Sequence, residues 1–97
     1  MLKLNNGINL VKFSAEWCMP CKIASRIIEY VITEFSSVIF TEIDTDDSPT
    51  LAHAYKIKSL PTVIIFNNNE EVERFVGSVN ADKLRKSLEN AVNNLAV

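Results

Sequence analysis

The segment Phe13-Ser14-Ala15-Glu16-Trp17-Cys18-Met19-Pro20-Cys21-Lys22 joins two different hydrophobic rhythms. Upstream, Ile8 to Ser14 (INLVKFS) is a short, mostly apolar run behind an Asn-Asn-Gly turn signal, which predicts a buried strand. Downstream, Ala24, Ile27, Ile28, Val31 and Phe35 recur at three- and four-residue steps. That spacing predicts a helix of about five turns from Cys18 to Phe35. The cysteines therefore fall where a strand hands over to the start of a long helix. Unpaired N–H groups and a partial positive charge at that end stabilise a thiolate, the reactive form of the side chain. Cys21 lies one turn after Cys18, within reach for a short disulfide. Pro20 costs little there, because first-turn N–H groups have no helical acceptor. Trp17 sets a flat apolar wall beside the nucleophile.

Further along, Val38 to Asp44 (VIFTEID) predicts a second strand, with Ile39 and Thr41 on one side and Phe40 and Glu42 on the other. Ser48-Pro49 reads as an N-cap followed by proline at the first helical position, opening a short helix to about Lys56. Thr62 to Phe66 predicts a strand, and Asn67-Asn68-Asn69 a turn, since Asn tolerates the left-handed conformation. Val72 to Val76 is the expected hairpin partner, ended by Gly77. After Asn80, the positions Leu84, Leu88, Ala91, Val92 and Leu95 mark one face of a final helix. The order is βαβαββα, an α/β chain expected to form a single domain over residues 1–97. Its first βαβ unit favours a parallel pair joined by a right-handed crossover, and the hairpin adds an antiparallel edge.

Composition excludes several classes of function. The chain is 47% apolar and 23% charged, as ordinary soluble globular domains are. With 10 Lys+Arg against 12 Asp+Glu it carries a net charge of −2 and no basic stripe. Neither nucleic acid nor a membrane surface is expected as a partner. The longest apolar runs, such as Val63-Ile64-Ile65-Phe66, fall far short of the ~20 residues that span a bilayer. No secretory or lipidation signal stands out, so a cytoplasmic location is expected. Both cysteines sit in one four-residue segment, an arrangement for chemistry rather than for stapling a fold. Asp44-Thr45-Asp46-Asp47-Ser48 has a faint look of a calcium loop but lacks its glycine and terminal glutamate. Its acids are expected to favour the dipole of the following helix. His53, the sole histidine, and two cysteines are too few for a zinc site. No metal and no cofactor is expected, and no flavin- or nucleotide-binding motif occurs.

The cysteine segment closely resembles the active-site signature of thioredoxins. Ile57-Lys58-Ser59-Leu60-Pro61-Thr62 resembles the family's second signature, a loop ending in a cis-proline. The distance between the two, the Asn-rich hairpin and the closing helix also match, so the resemblance covers nearly the whole chain from Ile8 onward. It implies a minimal thioredoxin fold, a central mixed four-stranded sheet flanked by helices on both faces. It also implies a thiol–disulfide oxidoreductase that reduces protein disulfides. Cys18 would attack a substrate disulfide, and Cys21, shielded behind it, would then attack Cys18 and release the reduced substrate. Pro61 would sit in cis opposite the cysteines, leaving the neighbouring backbone free to pair with an extended substrate. Trp17, Met19, Pro20, Leu60, Pro61, Val76 and Gly77 match the family's substrate-docking rim. The implied partners are disulfide-containing proteins and, as electron donor, an NADPH-dependent thioredoxin reductase, with the chain acting as a monomer.

Four departures from the family pattern bear on mechanism. Only 17 residues precede Cys18, too few for the extra strand and helix usual in the family. A glutaredoxin-sized core is expected, with at most a short strand over Met1 to Leu4. Lys12 stands where the family has a buried acid behind the second cysteine, and Glu42 where a lysine often neighbours that acid. The two are expected to meet beneath Cys21 as a charge-swapped pair, with the base role falling to Glu42 or to water. A protonated Lys12 there would stabilise thiolates and make the protein more oxidising; the alternative is a Lys12 that snorkels to solvent. Arg26 replaces the proline that commonly kinks the active-site helix, which predicts a straighter helix. Met19 occupies a position where glycine is common. Two rival functions stand beside the leading one: a glutaredoxin-like or more oxidising exchange protein, and a docking subunit whose cysteines idle.

Overall fold

A computed structural model describes residues 2–94. Among them, four strands and three helices follow in the order β1 (Ile8–Ser14), α1 (Met19–Ile32), β2 (Ile39–Asp44), α2 (Pro49–Ala54), β3 (Thr62–Asn67), β4 (Glu70–Val76) and α3 (Ala81–Asn93). The expected βαβαββα order is present. The sheet runs β2-β1-β3-β4, with β1 parallel to β2 and antiparallel to β3, and β3 antiparallel to β4. Every residue of the central strand β1 is buried. Coverage of both faces explains why its sequence reads as a nearly continuous apolar run.

The pleat sends alternate residues of β1 to opposite faces. Ile8 and Leu10 join Val63 and Ile65 beneath α1 (Ala24, Ile28, Val31) and α3 (Leu84, Leu88, Ala91). Val11 and Phe13 join Ile64 and Phe66 on the opposite face, where Leu51 and Tyr55 pack from the α2 segment. Helices thus flank both faces. Lys12 and Ser14 continue the row begun by Ile8 and Leu10, so they point to the side covered by α1. This alternation places polar groups directly behind the cysteines.

Several boundaries differ from expectation for local reasons. Helix α1 stops at Ile32 rather than Phe35: the N–H groups of Glu34 and Phe35 turn back to the carbonyls of Val31 and Ile32 at 3.1 and 3.0 Å. That tightened turn still delivers Phe35 to the core. Helix α1 runs uninterrupted past Arg26. Helix α2 ends at Ala54, and Lys56 adopts a left-handed φ of 57°. Ser48 occupies the N-cap of α2, but its side chain makes no capping bond. The acids before it are not in the helix's first turn either. Instead the Asp44 carboxylate accepts the N–H groups of Asp46 and Asp47, at 2.8 and 3.4 Å, closing a local turn. Leu2 to Leu4 form no strand but pack Leu2 and Leu4 onto the Phe13 cluster; Met1 and Leu95 lie outside the described residues.

The hairpin turns through Asn68 and Asn69, with φ of 49° and 71°, the positive values that a two-residue turn between twisted strands requires. Strand β4 begins at Glu70, earlier than expected. Ile65 faces Glu73 and Phe66 faces Glu71, which leaves Val72 in a bulge. At the other end of the chain, Asn80 caps α3 by accepting the Lys83 N–H at 3.0 Å. Asn80→Ala is expected to cost about 1 kcal/mol, read as a lower urea midpoint at unchanged slope. Among the described residues no helix is long and apolar enough to cross a membrane.

Candidate active site

The site begins where β1 stops. The Ser14 carbonyl accepts the N–H of Thr45 at 2.8 Å, which ties the exits of the two parallel strands together. The chain then turns through Ala15, Glu16 and Trp17, and the Cys18 N–H donates to the Ala15 carbonyl at 3.1 Å. Cys18 is the N-cap of α1, with extended backbone at φ −89° and ψ 104°. Its Sγ accepts the Cys21 N–H at 3.2 Å, as a serine or aspartate oxygen does at other N-caps. A thiolate at Cys18 thus meets a backbone donor and the positive end of the helix. Cys18 and Cys21 form a disulfide with their Cα atoms 5.3 Å apart. Both are buried with Ala15, and Leu60 packs against them.

The Leu60–Pro61 peptide bond is cis. Gly77, at φ 89°, closes β4 and donates its N–H to the Pro61 carbonyl at 2.9 Å, bringing Val76 and Gly77 alongside Pro61. The Leu60 backbone has no hydrogen-bond partner among the described residues. Around this loop the surface is apolar and open: Trp17 is 71%, Met19 64% and Val76 61% exposed. A groove of about 510 Å³ lies between Trp17, Ile57, Ser59 and Leu60. The Trp17 indole N–H donates to Asp46 at 2.8 Å, so an acid expected to serve α2 instead fixes the tryptophan ring.

Behind the disulfide, Lys12 is 1% exposed and, with Phe13, among the largest fully buried side chains of the described residues. It does not snorkel to solvent. Its Nζ donates to Oε2 of Glu42 and to Oγ of Ser25, each at 2.5 Å, and the Ser14 hydroxyl donates to the same glutamate oxygen at 2.9 Å. The parallel register sets Lys12 directly beside Glu42. The Lys12 hydrogen bond holds the Glu42 carboxyl below its usual range; burial opposes this, and the Ser14 bond assists it. Lys12, Ser25 and Glu42 share with Cys21 an open cleft of about 370 Å³. Ser25 was not among the residues expected here. Its signal was present, because it lies four residues after Cys21 as a polar break in the inward stripe of α1.

The thioredoxin family model matches residues 1–90. This chain belongs to the thioredoxin family. A thioredoxin of Chlamydia trachomatis is 41% identical over 81 residues, spanning 84% of this chain and 79% of the relative. One of Porphyra purpurea is 39% identical over 87 residues, 88% of this chain and 81% of the relative. The X-ray structure of Fasciola hepatica thioredoxin matches with a TM-score of 0.80 at 30% identity, covering 89% of this chain and 82% of that one. Thioredoxins are protein-disulfide oxidoreductases, and Cys18 and Cys21 fit the family's C-x-x-C active site. The chain is accordingly a thiol–disulfide oxidoreductase, and its two cysteines are the redox pair.

Proposed function

We propose that this chain reduces disulfides of cytoplasmic proteins and is itself re-reduced by an NADPH-dependent thioredoxin reductase. The observation that carries the reading is the Cys18 sulfur at the N-cap of α1, bonded by the Cys21 N–H at 3.2 Å and set beside a largely exposed Trp17. As a thiolate, Cys18 attacks one sulfur of a substrate disulfide and expels the other as a thiolate, forming a mixed disulfide. Cys21, deprotonated, then attacks Cys18, closes the intramolecular disulfide and expels the second substrate thiolate. Two electrons pass to the substrate, and the reductase returns them to the pair.

Substrate docking falls to the surface around Pro61. The unpartnered Leu60 backbone suits an extended peptide segment, while Trp17, Met19, Pro20 and Val76 offer apolar contact and Gly77 leaves room beside Pro61. A cytoplasmic setting agrees with cysteine use: both thiols belong to the redox pair, as expected where the compartment keeps thiols reduced.

The test is turnover on a protein with accessible interchain disulfides, with recycling by NADPH and thioredoxin reductase or by glutathione alone. Sustained turnover only with the reductase is the expected result. Turnover with glutathione alone would replace this reading by the glutaredoxin-like one. A cysteine-free variant that kept full biological activity would replace it by the docking one.

A further inference from the structure

A lysine is an expensive residue to bury. Removing an ammonium from water costs several kcal/mol even when it is paired, and apolar replacements of buried ion pairs are often neutral or stabilising. Lys12 nevertheless lies fully covered, on a row it shares with the apolar Ile8 and Leu10 and with the neutral Ser14. Its ammonium has three protons, and two are taken by Glu42 and Ser25. The third has no protein acceptor among the described residues, and the cleft that Lys12 lines is shared with Cys21. The ionisable groups facing that cleft are Lys12 from β1, Glu42 and Asp44 from β2, Glu16 from the loop, and Lys22 from α1 itself. Of these, only Lys12 is buried, so its charge is the one least screened by solvent.

We propose that Lys12 is the positioning residue for the resolving step: its buried ammonium holds Cys21 as a thiolate, while Glu42 anchors the lysine and does not take the thiol proton. This rests on the dithiol exchange described above. The proton of Cys21 leaves to water in the open cleft, and the thiolate then attacks Cys18, so no protein carboxylate needs to accept it. Glu42 is poorly suited to do so. It is 48% exposed, already accepts from Lys12 and Ser14 through one oxygen, and is held in its ionised form by them. A cation under the thiols also favours the reduced, thiolate-bearing state and shifts the pair toward an oxidising poise.

The two readings of this pair predict opposite signs. Reduced protein is mixed with a chromogenic aromatic disulfide. Attack by Cys18 releases the first coloured thiolate, and attack by Cys21 on the resulting mixed disulfide releases the second. With Lys12→Met, the second phase is expected to slow about tenfold at neutral pH and to recover as pH rises, the signature of a thiol pKa raised by one unit. Above the thiol pKa, where the reduced state carries the thiolate, the reduction potential should fall by about 30 mV, the equivalent of that factor. With Glu42→Gln, the second phase should hold or accelerate and the potential should rise, because the lysine loses its neutralising partner. A Glu42→Gln variant as slow as Lys12→Met would overturn the proposal in favour of a glutamate base. An unchanged pH profile in Lys12→Met would reduce the lysine to a structural role. Should Lys12→Met fail to fold, the sign of the Glu42→Gln effect still decides. Absence of the first phase in the unmodified protein would sink the exchange reading itself, a separate result.

Discussion

Cys18→Ser is expected to leave no measurable disulfide reduction, whereas Cys21→Ser should stop turnover after one covalent step. The asymmetry follows from where the two sulfurs sit. Cys18 occupies the N-cap, where the Cys21 N–H and the helix dipole favour its thiolate. Serine fits the same cap, but its hydroxyl does not ionise near neutrality, so the nucleophile is lost while the helix end is kept. Cys21 is 1% exposed and lines the cleft with Lys12 rather than the rim around Trp17. Its partner in the disulfide is Cys18, which makes it the expected resolving thiol. In Cys21→Ser the first attack therefore proceeds, and the mixed disulfide cannot resolve. Intact mass should show one substrate chain bound per molecule, released by a small dithiol. Residual turnover by Cys18→Ser, or no adduct on Cys21→Ser, would reverse the assignment of nucleophile and resolving thiol.

The redox pair and the fold were legible because strong local signals coincide at one place. The change from a buried run to a helical repeat lies at the cysteines, and each of the seven elements carries its own period or turn residue. The pairing of Lys12 with Glu42 was also legible, since strand alternation puts both on the face of α1 once β1 and β2 are adjacent. That Lys12 is held inside was not, because snorkelling depends on what covers the side chain's end, here Ser25 and Glu42. The bond from Trp17 to Asp46 joins two irregular segments 29 residues apart, where no periodicity relates them. The bulge at Val72 was hidden for a similar reason: an exposed edge strand of mostly polar residues without strict alternation (EEVERFV) leaves its register weakly specified, and only the packed side of β3 selects one. The early end of α1 was masked by Phe35, whose apolar side chain continues the stripe although its backbone has left the helix.

Phe13→Ala is expected to remove about 3–5 kcal/mol of stability, a large share of the roughly 5–15 kcal/mol that holds a domain of this kind. Phe13 is fully buried on the central strand. Its ring packs with Val11, Ile64 and Phe66 and lies 5.8 Å from the Tyr55 ring, which in turn meets Phe66 edge-on at 5.9 Å. Among the described residues the buried apolar cluster on the α2 face is four residues, Val11, Phe13, Ile64 and Phe66, so few neighbours can move into the space a benzyl group leaves. Phe13→Leu keeps most of the volume and should cost less than about 1.5 kcal/mol. Urea unfolding of the oxidised protein measures both, and near-equal midpoints for the two variants would show that the cluster is not a packed core. The chemistry should separate from this loss. Phe13 is the chain neighbour of Lys12, yet strand alternation turns the two to opposite faces, so a cavity at Phe13 opens beneath α2 and away from the Lys12–Cys21 cleft. The folded fraction of Phe13→Ala should therefore retain the resolving rate and its pH profile, whereas Lys12→Met alters both. Adjacent residues of one strand then govern stability and redox chemistry independently, because the pleat assigns each to a different side of the sheet.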